Sequence, residues 1–156
     1  SPFHRFAMVA LATEPFARFR SSTIELDTME RQYTVDTLAA VRNLHPGSEL
    51  LFVLGADMYE EIDSWRDYRR LFSLARMVVI NRPGFSFRED VAPFTRLDEN
   101  TSTPAPGTGQ AVFYLPFVEQ PMSSTRIRQD WDRDEQVRSW LPASVRGYIE
   151  KHKLYS

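Results

Sequence analysis

Three short apolar runs, separated by stretches of helical pattern, constrain the fold of this chain more than any other feature. Glu49-Leu50-Leu51-Phe52-Val53-Leu54 is almost continuously apolar, Met77-Val78-Val79-Ile80 repeats the pattern, and Ala111-Val112-Phe113-Tyr114-Leu115 gives it a third time. A run this short, without polar alternation, reads as a strand buried on both faces. Helical segments around residues 58–62 and 67–74 lie between the first two runs, with Ser64-Trp65-Arg66 joining them. Strands that alternate with helices make a parallel sheet, so the reading is one α/β domain over residues 1–156 with a doubly wound sheet.

The flanking segments fill in around that frame. Phe3, Phe6, Ala7, Val9 and Ala10 recur at helical spacing, which predicts an amphipathic helix from Phe3 to Thr13 with neither a strand nor a cap before it. Ser22 to Leu26 is rich in β-branched residues and reads as a short strand. Thr34 is the expected N-cap of a helix running to about Leu44, where His45-Pro46-Gly47 stops it. A helix is read over Glu89 to Leu97, with Pro93, which disfavours a helix interior, inside it. Residues 100–110 are rich in Thr, Pro and Gly and read as an exposed loop. A helix is expected from Thr125 to about Arg133. A last one begins at Pro142 and runs to about Lys153, with Val145, Tyr148 and Ile149 on one face.

Bulk properties exclude several classes. Net charge is −2, and the cationic residues, mostly arginine, are dispersed. A polymeric nucleic acid is not the expected partner, since it requires a concentrated basic surface. Arginine suits small phosphorylated ligands, because its planar fork pairs with phosphate oxygens. The chain has no cysteine, which removes disulfides, thiolate nucleophiles and cysteine-based zinc sites. No apolar run is long enough to span a bilayer, and the N-terminus has no secretory pattern, so a cytoplasmic protein with no membrane partner is expected. Three scattered histidines without clustered acids give no case for a structural metal.

In a sheet of this kind ligands bind beyond the C-terminal ends of the strands. Gly55-Ala56-Asp57 and Asn81-Arg82-Pro83-Gly84 each follow a strand reading, and Tyr33-Thr34-Val35 opens a helix after another. Ser123-Ser124-Thr125-Arg126-Ile127-Arg128 follows the third apolar run. Its hydroxyls sit where a helix begins and its amides are free, and Arg128 lies one turn on, roughly above Ser124 and Thr125. Read alone, that motif is a serine cap beside a solvated arginine. After a parallel strand, the same amides, hydroxyls and guanidinium suit phosphate. Read alone, Trp65 is a packing residue and Asp57 a helix cap.

Taken together, Tyr33-Thr-Val-Asp-Thr-Leu38, Gly55-Ala-Asp57, Trp65, Arg82-Pro-Gly84 and Ser123-Ser-Thr-Arg-Ile-Arg128 resemble the bacterial nicotinate-mononucleotide adenylyltransferases in order and spacing. The ending Tyr148-Ile-Glu-Lys-His-Lys-Leu-Tyr155 is similar as well. The resemblance covers essentially the whole chain. It implies a Rossmann-like, nucleotidyltransferase-type α/β fold and transfer of the adenylyl group of ATP to nicotinate mononucleotide, a step of NAD biosynthesis that releases pyrophosphate. Amides near Thr34 and Val35, with that of Arg66, would receive the nicotinate carboxylate, and Trp65 would stack on the pyridine ring. Gly55 would allow close approach of the nucleotide, and Asp57 would accept from ribose hydroxyls. Ser123, Ser124, Thr125 and Arg128 would hold adenylate and the ATP phosphates. Arg128 would offset charge on the leaving pyrophosphate, with Mg2+ entering with ATP.

The family also carries a glycine-rich strand–loop with a His-x-Gly-His signature, whereas the histidines here are His4, His45 and His152. On this alignment the family's first strand, first helix and second strand would lie before Ser1, so the chain is expected to be part of a longer protein. Its sheet would otherwise expose unpaired edges. A second class stays open, a non-catalytic nucleotide-binding or remnant domain of the same fold. Assembly into a homo-oligomer is not decided by sequence.

Overall fold

The computed structural model describes residues 1–27, 32–81, 84–92, 94–96, 112–116 and 122–155. Arg82, Pro83, Ala111 and the 100–110 segment, all read above, lie outside the described residues. The chain divides into two compact units, residues 31–120 and residues 1–30 with 121–156.

The first unit is built on a parallel sheet. Its elements are α2 (Thr34–Leu44), β1 (Leu51–Gly55), α3 (Ala56–Glu60), a 3-10 turn (Ile62–Ser64), α4 (Tyr68–Leu74), β2 (Arg76–Ile80), β3 (Phe94–Arg96) and β4 (Val112–Leu115). The strand order is β1-β2-β4-β3, and all three pairings are parallel, with Val53 opposite Val78 and Val78 opposite Phe113. All three apolar runs form strands of this sheet. Met77, Val79, Val112 and Tyr114 are buried with Val35 and Leu38 of α2, Tyr59 of α3, Ile62 and Leu71. Each such side chain withdrawn from water contributes roughly 1.5–3 kcal/mol before the opposing entropy is counted. Arg76 is buried at the start of β2, where its Nε donates to Glu49 Oε1 at 2.8 Å, so its charge does not stand alone in the interior.

Four expectations for this unit are corrected. β1 is buried on one face only, because Leu51 and Val53 are 49% and 54% exposed while Leu54 is buried. A continuous apolar run says nothing of which face is covered, and successive side chains point opposite ways. The cap of α2 is Tyr33, in extended backbone and without a side-chain cap bond, so Thr34 is the first helical residue. The cap of α3 is Gly55, which puts Asp57 inside the first turn instead of at the cap. Finally, the described residues between Glu89 and Leu97 form no helix: residues 89–92 bend and β3 begins at Phe94, while Pro93 and Leu97 lie outside the described residues. Proline lacks the N–H and the freedom that a helix interior needs, and the strand alternative is stabilised by pairing with β4.

The second unit is helical, with α1 (Pro2–Thr13), α5 (Ser124–Asp130), α6 (Glu135–Ser139) and α7 (Ala143–Lys151). α1 does have a cap: Ser1 Oγ accepts from the His4 amide at 3.3 Å, with Pro2 just inside the helix. α1 packs against α7, joined by a 2.8 Å hydrogen bond between His4 Nδ1 and the Tyr148 hydroxyl. Trp131, Val145 and Ile149 form the core, with Met8, Leu11 and Ile127 against it. The strand expected over Ser22 to Leu26 is a turn. Thr23 O accepts from the amides of Leu26 and Asp27, and the Thr23 hydroxyl donates to Asp27 Oδ2 at 3.0 Å. Local hydroxyl and carboxylate partners outcompete a ladder for such residues. Among the described residues no helix is long and apolar enough to cross a membrane.

Candidate functional site

Three residues singled out in the sequence meet in one cleft of the sheet unit. Gln32, Tyr33, Thr34, Ser64, Trp65 and Arg66 line a space of about 280 Å³, although some thirty residues of chain separate its two walls. One wall is the start of α2. The amides of Thr34 and Val35 are among its first N–H groups, for which the helix itself offers no acceptor. The Val35 side chain is buried in the core, so only its backbone can face a ligand. The other wall is the turn between the 3-10 segment and α4. Trp65 is half-buried there, with its ring set edge-on to Phe52 at 6.4 Å, which fixes one side of the indole and leaves the rest beside the cleft.

Arg66 is exposed, yet its guanidinium is placed. It lies 4.6 Å from the centre of the Tyr33 ring, and its Nη1 is 3.7 Å from Asp36 Oδ2 in the first turn of α2. A cation over an aromatic face and beside a carboxylate links one wall of the cleft to the other, modestly because both charged groups are exposed. The chain turns into α4 through Asp67, which adopts the left-handed conformation at φ 49°. Aspartate tolerates that region better than most residues.

Gly55 and Asp57 sit at the C-terminal end of β1. Gly55 has φ −76° and ψ 155°, so backbone angles do not demand glycine at this position. Asp57 is half-buried in the first turn of α3, where a carboxylate is favoured by the helix dipole.

In the helical unit, Ser123 is the cap of α5, its Oγ accepting from the Arg126 amide at 3.1 Å. Ser124, Thr125 and Arg128 are exposed. The two arginines of the motif differ in their engagement. Arg126 is held by Asp130 at 3.7 Å and Asp134 at 3.4 Å and lies over the Trp140 ring at 5.1 Å. For Arg128 the described residues show one long hydrogen bond, from Nη2 to Thr125 Oγ1 at 3.4 Å. Arg126 is committed to the fold, and Arg128 retains donors for a ligand. Ser124 and Arg128 also line an apolar cavity of about 440 Å³ with Met8, Ile127 and Val145.

Sequence reasoning left Tyr33, Asp36, Gln32 and Ser64 without a role. Tyr33 and Asp36 stand within the Tyr33–Leu38 motif, and an acidic residue there and an arginine next to Trp65 were the available signal for a pair. Nothing in the sequence indicates Gln32 or Ser64.

The family model for cytidylyltransferase-like proteins matches residues 1–130. The chain is 37% identical over 151 residues to a probable nicotinate-nucleotide adenylyltransferase of Thermus thermophilus, covering 97% of this chain and 72% of that one. It is 36% identical over 154 residues to a probable nicotinate-nucleotide adenylyltransferase of Corynebacterium jeikeium, covering 97% and 73%. Among solved structures, Plasmodium falciparum nicotinic acid mononucleotide adenylyltransferase complexed with APC matches with a TM-score of 0.63 at 19% identity, over 98% of this chain and 75% of that chain. The complex with NaAD gives 0.62 at 18%. At such identities these structures speak for the fold alone, an α/β fold of Rossmann-like, nucleotidyltransferase type.

Proposed function

The chain belongs to the nicotinate-nucleotide adenylyltransferase family, and from that premise we propose that it transfers the adenylyl group of ATP to nicotinate mononucleotide. The phosphate of the mononucleotide attacks the α-phosphorus of ATP, a new P–O bond forms, and pyrophosphate leaves. The product is nicotinate adenine dinucleotide, and no covalent enzyme intermediate is required.

The observation that carries this reading is the cleft that unites Thr34, Trp65 and Arg66. A flat heteroaromatic ring gains from an indole face, and a carboxylate gains from helix-first amides. The Thr34 and Val35 amides, with the amide of Arg66, are the assigned carboxylate donors, and Trp65 is the assigned platform. A carboxamide offers its own N–H groups to those donors, so nicotinate is favoured over nicotinamide. Gly55 and Asp57 are assigned to the adenylate ribose. Ser123, Ser124, Thr125 and Arg128 are assigned to the phosphates, with Arg128 stabilising charge on pyrophosphate.

The donor set of that motif is hydroxyl, amide and guanidinium, which suits phosphate oxygens and not a cation. Among the described residues no group of three or more His, Asp or Glu could hold a metal ion. Magnesium would enter with ATP and would neutralise phosphate charge when bound.

The test is pyrophosphate release with ATP and nicotinate mononucleotide, with nicotinamide mononucleotide as the competitor substrate. Release that is at least roughly tenfold faster with the nicotinate form supports the reading, since a mismatched donor costs about 1–3 kcal/mol. Binding of both nucleotides with no pyrophosphate from either would favour a non-catalytic nucleotide-binding domain instead.

A further inference from the structure

Residues 56–66 begin with the segment that carries Asp57 and end with Trp65 and Arg66, yet little in them is stable alone. The stretch consists of a five-residue helix and a single 3-10 turn, followed by the left-handed residue Asp67. Helices this short are unfavourable in isolation, and 3-10 turns have poor hydrogen-bond geometry. Tyr59 and Ile62 root the segment in the core from one side. From the other side it is gripped by one guanidinium.

Arg88, in the loop after β2, donates from Nη1 to Glu60 O and to Asp63 Oδ2, both at 2.9 Å. Glu60 is the last residue of α3, whose terminal carbonyls have no donor within the helix, and Asp63 sits in the 3-10 turn two residues before Trp65. Two further donors of the fork go to Asp90, Nε to Oδ1 at 3.2 Å and Nη2 to Oδ2 at 2.9 Å. That bidentate pair holds the side chain in the conformation that reaches Glu60 and Asp63. The neighbouring Phe87 locks the same loop: its ring stacks on Tyr59 at 5.2 Å and on Tyr114 at 4.4 Å. The Arg88 hydrogen bond holds the Asp90 carboxyl below the usual carboxylate range, as expected of a charge-assisted contact.

We propose that Arg88 is a positioning residue: by fastening the loop after β2 to the end of α3 and to the 3-10 turn, it fixes where Trp65 stands in the cleft. Its bearing on substrate rests on the reading of Trp65 as the pyridine platform. A lysine cannot replace it, since one ammonium cannot span a carbonyl and two carboxylates in a fixed plane.

The experiment separates the two claims. Trp65 emission is obtained as the difference between each protein and its Trp65→Phe counterpart, which cancels Trp131 and Trp140. Its quenching by acrylamide is measured without nucleotide, alongside KM and kcat for nicotinate mononucleotide. Arg88→Ala is expected to raise the quenching constant about twofold. It should also raise KM about tenfold with kcat changed less than about threefold, the pattern of a lost binding geometry. Arg88→Lys should fall between the two. Unchanged Trp65 quenching in a folded Arg88→Ala protein overturns the proposal. Should that variant not fold, Asp63→Asn substitutes for it, because it keeps the shape and removes one charge; increased Trp65 quenching supports the proposal and unchanged quenching overturns it. If Trp65→Ala itself leaves KM unaltered, the stacking role fails, while the quenching data still decide whether Arg88 places Trp65.

Discussion

The two units offer ligands very different surfaces. In the sheet unit, the Thr34–Trp65–Arg66 cleft is assembled from residues far apart in sequence and is braced by Phe52, Tyr33, Asp36 and, at one remove, Arg88. In the helical unit, Ser123 to Arg128 present exposed groups whose hydrogen bonds are mostly local. The ligands proposed for the two surfaces match that difference. A planar ring is selected by shape, and shape selection requires walls that do not move. A phosphate is selected by charge and donor number, which one capped helix start and a guanidinium with one long local hydrogen bond can supply. On the proposed assignment, the pyridine side would be braced before its ligand arrives, and the phosphate side would complete its contacts with the ligand.

The largest expected effect tests the second half of that contrast. Arg128→Ala should lower turnover by on the order of a hundredfold or more, as loss of a donor to developing charge does elsewhere. The affinity for nicotinate mononucleotide should change far less. The neighbouring Arg126→Ala should instead lower melting temperature slightly and leave turnover within a few-fold, because its partners are Asp130, Asp134 and Trp140. Equal turnover losses in the two variants, followed by pyrophosphate release, would erase the distinction between a committed and an available arginine.

Next in size is the platform. Trp65→Ala should weaken binding of nicotinate mononucleotide about tenfold, in the range found when a stacking aromatic is removed from a heterocycle. Trp65→Phe should recover part of it. Isothermal titration reads both. If the alanine variant binds as tightly as the parent, the cleft is a packing feature and its bracing has no bearing on ligand.

What the sequence made legible, and what it did not, divides along the same physical line. The three strands were readable because burial writes unbroken apolar runs into the chain, and α2 because His45-Pro46-Gly47 marks its end. Of the cleft residues, Thr34, Trp65 and Arg66 were readable from the spaced motifs. Contacts across long separations leave no such trace, which is why Arg66 over Tyr33 and Arg88 on Asp63 emerge only in the fold. Short elements failed for a related reason. α6 has five residues, too few to show periodicity, although Asp134 does cap it by accepting from the Gln136 amide at 2.9 Å. At Ser22 to Leu26, β-branched content suggested a strand, and local hydrogen bonds decided for a turn. The one-sided burial of β1 was also hidden, because an apolar side chain has the same identity whether or not its face is covered.

The smallest effect at neutral pH concerns the brace itself. Tyr59 is fully buried between the core and Phe87, and among the described residues its hydroxyl has no hydrogen-bond partner. Burial raises its pKa from 10 to about 12; the nearby Arg88 charge opposes that shift and the Asp90 charge adds to it. The unfolded chain then loses this proton near pH 10 while the folded protein keeps it until about 12. Between those values the unfolded state binds fewer protons, so stability falls as pH rises, by at most about 1.4 kcal/mol per pH unit. Tyr59→Phe keeps the ring that stacks on Phe87 and removes the orphaned hydroxyl. It should leave neutral-pH stability unchanged or higher by less than about 1 kcal/mol, and flatten the alkaline slope in urea melts. A variant that loses several kcal/mol at pH 7 would mean that the hydroxyl has a partner, and that the loop after β2 is held to α3 by more than stacking and Arg88.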